Sequence, residues 1–227
     1  MKGFHTVLVA VAVVGGGALW YATQRKPAAA PPPPPRGPDG AAPVAATEGF
    51  RGFTLGPDSA AIEVTEYSDF ECPFCASFAT VQMPVIREQL IAKGKVRWRY
   101  RDFPLPTHAY SRYAALAAQC ASEQGKFWEM HDQLFSHHDW AQSGKNPRSL
   151  FRDFAKGIGL DLDKYDACMD SQRYAGRIQA SVQEGDRLGV NGTPTFFVNG
   201  RRFEGHPTSD AFTALVDSVT RQRKPKP

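Results

Sequence analysis

The chain has little cysteine and little net charge, and both shortages narrow what it does. Four cysteines stand among 227 residues, an even number that suits an oxidising compartment without proving one. Only Cys72 and Cys75 are close, as a C-x-x-C; Cys120 and Cys168 stand alone. No second C-x-x-C or C-x-x-H follows, so the first pair lacks the two further ligands a zinc site needs. His131, His137 and His138 cluster on a separate amphipathic stretch and read as surface residues. No metal or other cofactor is expected. The net charge of +4 is carried by the ends: residues 1–47 hold +3 and residues 221–227 hold +4. The body between them has 19 basic and 22 acidic residues, which excludes the electrostatic footprint of a nucleic-acid binder. Apolar residues are not short. They make up 42% of the chain, enough for a sizeable core and too many for wholesale disorder. No internal repeat is visible.

After a short basic start, Val7 to Ala22 is an unbroken uncharged run. As a helix it would be roughly 24 Å long, and with residues 4–6 and 23 about 30 Å, enough to cross a hydrocarbon core. Trp20 and Tyr21 close it with rings that favour the membrane interface. No clean A-x-A cleavage site follows, which favours an uncleaved anchor over a cleaved signal peptide. Arg25 and Lys26 beyond the run weaken the charge asymmetry of an anchor. Residues 1–26 are thus expected to form an N-terminal hydrophobic helix, signal peptide or membrane anchor, on an exported protein. Residues 27–47 contain eight prolines among alanines and glycines. Such a stretch builds no core and reads as a semi-rigid spacer, rather than as a ligand for a proline-binding domain.

The folded part begins near residue 48. Ala61 to Tyr67 is a β-prone run, followed by Cys72-Pro73-Phe74-Cys75 and a helical spacing from Ala76 to Ile91 that Pro84 should kink. Val96 to Arg101 alternates strictly, as a strand with one buried face. Arg97, Arg99 and Arg101 then occupy a solvated face or a helix contact rather than a functional basic stripe. Strand, helix and strand make a βαβ unit, with the C-x-x-C where the first strand hands over to the helix. A free thiol is mostly protonated at neutral pH, and the start of a helix favours its anion. Cys72, at the cap and exposed, is expected to attack or be attacked; Cys75, one turn in and shielded, to resolve the mixed disulfide. Asp69 and Glu71 flank the pair, and their charge would oppose a very acidic Cys72.

Far downstream, Gly192-Thr193-Pro194-Thr195 enters a buried-looking strand, Phe196-Phe197-Val198. Asn199-Gly200 then turns into Arg201-Arg202-Phe203. A proline at such a strand entry implies a cis bond or an edge. C-P-F-C on a βαβ unit, T-P before a hairpin and a last helix (about Ser209 to Val219) together resemble the thioredoxin superfamily. The segment Glu66-Tyr67-Ser68-Asp69-Phe70-Glu71-Cys72-Pro73-Phe74-Cys75 is similar to the active-site segment of the DsbA-like thiol:disulfide oxidoreductases of the bacterial envelope. The likeness spans about residues 50–220. The stretch from Pro106 to Gly192 is far longer than the single helix a bare thioredoxin fold needs there. It reads helical at Ser111–Ser122, across Phe127, Met130, Leu134 and Phe135, at Leu150–Ile158 and from Tyr165 to Leu188. The expected fold is therefore α/β: a thioredoxin fold over 48–220 with a helical insertion at about 106–190, followed by a basic tail at 221–227.

The resemblance implies a cis Pro194 against Cys72, with Thr193 offering its backbone to an extended substrate strand. It implies that Glu66, six residues before Cys72, lies beneath the site and accepts or relays the Cys75 proton; the alternative is a solvated strand residue. Glu63 is given no role. Some relatives carry a second bridge in the insertion, which implies a structural Cys120–Cys168 disulfide. It would close a loop of about 49 residues, worth roughly 4 kcal/mol in the chain-entropy treatment. Free buried thiols and a second redox relay are the other readings. The implied activity is oxidation of protein thiols at Cys72 and Cys75, in the periplasm or on the extracytoplasmic face of the inner membrane. A quinone-linked membrane oxidase would be the redox partner. A reductase or isomerase would share every motif, and a peptide-binding chaperone would keep the groove without needing Cys72.

Overall fold

The computed structural model describes residues 49–204 and 208–223. The expected hydrophobic helix at 1–26, the spacer at 27–47 and residues 224–227 of the basic tail lie outside the described residues. Among the described residues no helix is long and apolar enough to cross a membrane.

A five-stranded sheet carries the site. Its strands are β1 (Phe53–Leu55), β2 (Ile62–Ser68), β3 (Val96–Asp102), β4 (Thr195–Val198) and β5 (Arg201–Glu204), in the spatial order β1-β3-β2-β4-β5. β2 and β3 are parallel, as a βαβ unit requires, and the other neighbours are antiparallel. The three-residue β1 is too short to show a period, and no sequence signal marked it. Asn199 and Gly200 both take positive φ (47° and 80°) in the β4–β5 hairpin, as the Asn-Gly pair predicts.

The helix after the C-x-x-C is not one regular helix. α1 (Pro73–Ser77) passes into a π turn (Phe78–Gln82), then α2 (Met83–Ile86), then a second π turn (Arg87–Ile91). Pro84 explains the first change. It has no N–H to give, and its ring crowds the carbonyl of residue 80, so the turn before it widens and Met83 N–H bonds Phe78 O instead. The apolar face of this stretch, with Phe78, Met83, Ile86 and Leu90, packs on Val64, Trp98 and Phe196 of the sheet. Phe212 and Val216 of the last helix join the same cluster.

Between β3 and β4 stand α3 (Ser111–Ser122), α4 (Phe127–Ser136), a 3-10 turn (His138–Gln142), α5 (Arg148–Gly157), α6 (Leu162–Ser171) and α7 (Ala175–Arg187). The inserted helical region is therefore present. Its final stretch is two helices rather than the one expected from Tyr165 to Leu188, because Gln172 takes a left-handed conformation (φ 49°) and ends α6. The alanines of α3 let its neighbours approach closely, and it is buried among Phe135, Phe151, Tyr165 and Met169. Cys120 of α3 and Cys168 of α6 are disulfide-bonded. α7 crosses the opposite side of the sheet at Gly185, where a Cβ would meet the Phe103 ring at 2.6 Å. α8 (Ser209–Arg223) runs past the expected Val219 into the first residues of the basic tail.

Three expectations about polar residues need correction. His131 is buried, not on the surface. It lies in a nest of Phe70, Tyr100, Trp128 and Phe135 rings, with its Nδ1 2.8 Å from Asp132. Arg99 and Arg101 are buried too. They pair with Glu63 and with Glu184 of α7, so of the two readings of this face of β3 the helix contact holds and the solvated face does not. Glu63, to which no role was given, holds Arg99 through both carboxylate oxygens.

Candidate active site

Cys72 occupies the cap position of α1 with an extended backbone (φ −76°, ψ 123°), and Pro73 takes the first helical position. Proline loses nothing there, since that N–H has no partner inside the helix. Cys75 lies one turn on and is wholly buried; the two cysteines are reduced. Cys72 was expected to be exposed, yet only 3% of it is. The loop before β4 covers it. The Thr193–Pro194 bond is cis, and the Cys72 thiol donates to the Thr193 carbonyl at 3.3 Å. Phe74, 64% exposed, is the part of the motif that faces out.

The two sulfurs stand in opposite electrostatic settings. The Cys75 thiol, the Thr193 hydroxyl and the backbone N–H groups of Cys75 and Phe74 favour the Cys72 thiolate. They outweigh its desolvation and hold its pKa at about 6. Burial and the neighbouring Cys72 push Cys75 well above an ordinary thiol, although the Ser68 hydroxyl and the Asp69 N–H offer it hydrogen bonds. Cys72 is thus the sulfur that ionises near neutral pH, and Cys75 keeps its proton.

The flanking acids are held by the backbone. Asp69 is buried and accepts from Glu71 N–H and Leu105 N–H at 2.8 Å each. Its Oδ2 also lies 2.7 Å from His108 Nδ1. Glu71 is likewise occupied, accepting from Tyr110 N–H at 2.6 Å. Together they tie the loop after β3 to the active-site turn, a fixture that nothing in the sequence separated from an acidic flank.

Glu66 is buried on β2, 2% exposed, and not a solvated strand residue. Burial raises its pKa to about 7, against the smaller opposing effects of Ser68 and Trp98, and Trp98 Nε1–H donates to its Oε2 at 2.9 Å. Trp98 stands on the same face as Glu66, one strand over. The alternation of β2 and β3 carried that signal, but not the pairing itself. Among the described residues, no group of three or more His, Cys, Asp or Glu is arranged to hold a metal ion. Cys120 and Cys168 lie in the inserted helices, bonded to each other.

A family model described as thioredoxin matches residues 50–218. The chain belongs to the thioredoxin family. Within that family its fold is DsbA-like, with the inserted helices between β3 and β4. The structure of DsbA from Chlamydia trachomatis superposes with a TM-score of 0.68 at 18% identity, covering 79% of this chain and 97% of that one. A thioredoxin-like oxidoreductase from Silicibacter pomeroyi gives a TM-score of 0.62 at 29% identity, covering 76% and 92%. Among curated proteins, a Na(+)/H(+) antiporter NhaA 3 of Salinispora tropica is 42% identical over 178 residues, or 78% of this chain. This thioredoxin-family chain spans only about a quarter of that antiporter, 26% of its length.

Proposed function

We propose that this DsbA-like thiol:disulfide oxidoreductase works as an oxidase, introducing disulfides into exported proteins through Cys72 and Cys75. The observation that carries the direction is the inequality of the two sulfurs. A thiolate stabilised by a helix start and by Thr193 favours the reduced form, and so makes the disulfide a stronger oxidant. A substrate thiolate attacks Cys72 Sγ, the Cys72–Cys75 bond breaks, and Cys75 leaves. The second substrate thiolate then attacks the substrate sulfur of the mixed disulfide and releases Cys72 as the better leaving group.

Pro194 and Thr193 are the substrate-pairing edge in this reading. The Thr193 carbonyl is already within reach of Cys72, and main-chain pairing binds unfolded substrates with little side-chain selectivity. Glu66 serves as the buried acid for Cys75. The uncharged run from Val7 to Ala22 and the proline-rich spacer support a tethered domain outside the cytoplasm, and a Cys120–Cys168 bond suits an oxidising compartment. That relatives named as antiporters contain such a domain within a much longer chain agrees with work at a membrane. A quinone-linked membrane oxidase is the proposed partner that regenerates the disulfide.

Equilibration of the Cys72/Cys75 pair with glutathione tests the direction. The expected potential is near about −120 mV, that of a disulfide donor; a value near about −270 mV would make the protein a reductant and reverse the reading.

A further inference from the structure

The loop that brings Thr193 to Cys72 runs between two well-fastened elements. The turn that ends α7 is bonded as far as Val190, whose N–H donates to Gly185 O at 2.9 Å. Val190 is also buried, with Tyr67 and Phe103. β4 begins at Thr195. In the segment between them, residues 191–194, Thr193 gives its carbonyl to the Cys72 thiol.

Two side chains from the strands reach into this loop. Thr195 Oγ1–H donates to Gly192 O at 2.7 Å. From β5, Arg202 Nη1–H donates to Gly189 O at 2.6 Å and Nη2–H donates to Asn191 Oδ1 at 3.1 Å. Gly189 leaves room for this approach: its φ is 75°, and a Cβ there would meet Arg202 Nη1 at 3.3 Å. Arg202 stands opposite Phe197 in the β4–β5 register, and Phe197 packs against the cluster of Tyr67, Phe103 and Val190. One guanidinium thus joins the end of α7 to the residue two before Thr193. A planar fork fixes two acceptors relative to each other, as the point charge of a lysine does not.

We infer that Arg202 is a positioning residue for substrate binding, its fork holding the Gly189–Asn191 segment so that the Thr193 main chain is in place before a substrate strand arrives. The inference rests on the oxidoreductase reading and adds to it a residue outside the redox motif, one that sets affinity for substrate rather than reactivity of sulfur. The physical reason is entropy. A loop that is ordered only on binding draws the cost of ordering from the binding energy, and main-chain pairing with little side-chain selectivity has little to spare. Gly189 and Gly192 raise that cost, since glycine loses the most backbone freedom. Asn191 is exposed and Arg202 half-buried, so the clamp lies at the surface rather than in the core.

The test compares two thiol substrates on the full chain: a short peptide dithiol, which has a main chain to pair, and dithiothreitol, which has none. The quantity read is the peptide's kcat/KM divided by the dithiothreitol rate constant, so that a change in the reactivity of Cys72 itself cancels. Arg202→Ala should lower this ratio about tenfold, through a rise in peptide KM. Arg202→Lys should lower it nearly as much, because it keeps the charge and loses the fork. Arg201→Ala, at an exposed position on the same strand, should leave it unchanged. Asn191→Ala should lower it in part, and should add nothing in the Arg202→Ala background. A ratio equal to the parent's in Arg202→Ala would overturn the inference. Full retention in Arg202→Lys would also overturn it, reducing Arg202 to a favourable charge at the end of α7. A role in stability alone would lower the melting temperature and leave the ratio in place. The same ratio is read with reduced protein acting on the peptide disulfide and on oxidised dithiothreitol. If only that direction runs, the oxidase reading falls and the ratio still decides the part played by Arg202; if the parent turns over neither form of the peptide, both fall.

Discussion

The chain holds two pairs of buried cysteines, and their surroundings send them to different ends. Cys120 and Cys168 face each other from α3 and α6 in a setting of alanine, phenylalanine and tyrosine. The pair is bonded and holds two helices of the insertion together. Cys72 and Cys75 lie at a helix start, where backbone N–H groups and the Cys75 thiol favour the Cys72 thiolate, while burial keeps the proton on Cys75. Burial alone therefore does not make a cysteine inert. What distinguishes the redox pair is an unequal supply of donors, which lowers one sulfur and leaves the other high.

The largest expected effect breaks the comparison at its active end. Cys72→Ser should reduce oxidation of a model peptide dithiol to the uncatalysed background, while the double substitution Cys120→Ala/Cys168→Ala should keep the rate. The second variant acts on stability instead. It opens a loop of 48 residues in sequence separation and should cost roughly 4 kcal/mol in urea unfolding under oxidising conditions. A measured change in the Cys72/Cys75 potential in that variant would contradict the division of labour between the pairs.

A smaller effect sharpens the contrast through pH. Glu66 ionises at about 7 in the folded protein against 4.5 for an ordinary carboxyl. Between those values the folded state binds the proton and the unfolded state does not. This group's contribution to stability is then fully present below about pH 4.5 and is lost as pH rises through 7. The loss amounts to about 3 kcal/mol for a shift of this size. Glu66→Gln should remove that slope, read as unfolding free energy from pH 4.5 to 8. An unchanged slope in the variant would mean that Glu66 is not the group held neutral.

How much of this was legible follows from the range over which each feature is specified. The C-x-x-C, the helix start, the Asn-Gly turn and the alternation of β3 are local, and a few adjacent residues encode each. The resemblance carried by Thr193-Pro194 and the active-site segment joined pieces far apart in the chain. The features missed all depend on a partner distant in sequence. His131 looked like a surface histidine because its own helix does not reveal the rings of Phe70 and Tyr100 that enclose it. Asp69 and Glu71 looked like repulsive neighbours of Cys72 because Leu105, His108 and Tyr110, which hold them, come only after the whole of β3. Arg99 and Arg101 alternate as a solvated face would, and only the placement of Glu63 and Glu184 covers them.

The smallest effect concerns the side of the sheet away from the sulfurs. There Gly185 of α7 lies against Phe103 and Tyr67, and an added Cβ would come within 2.6 Å of Phe103 and 3.2 Å of Tyr67. Its backbone is ordinary helix, so alanine would gain helix propensity, worth up to about 1 kcal/mol. The overlap works against that gain, because both rings are buried and have little room to yield. Overpacking of this kind costs about 1–3 kcal/mol, so Gly185→Ala should lower unfolding stability by about 1 kcal/mol net. The Cys72/Cys75 potential should not move, since Tyr67 points to the face of β2 opposite Glu66 and Ser68. A potential that shifted together with stability would show that packing on the far face of the sheet reaches the sulfurs, and the two faces would have to be treated as one unit.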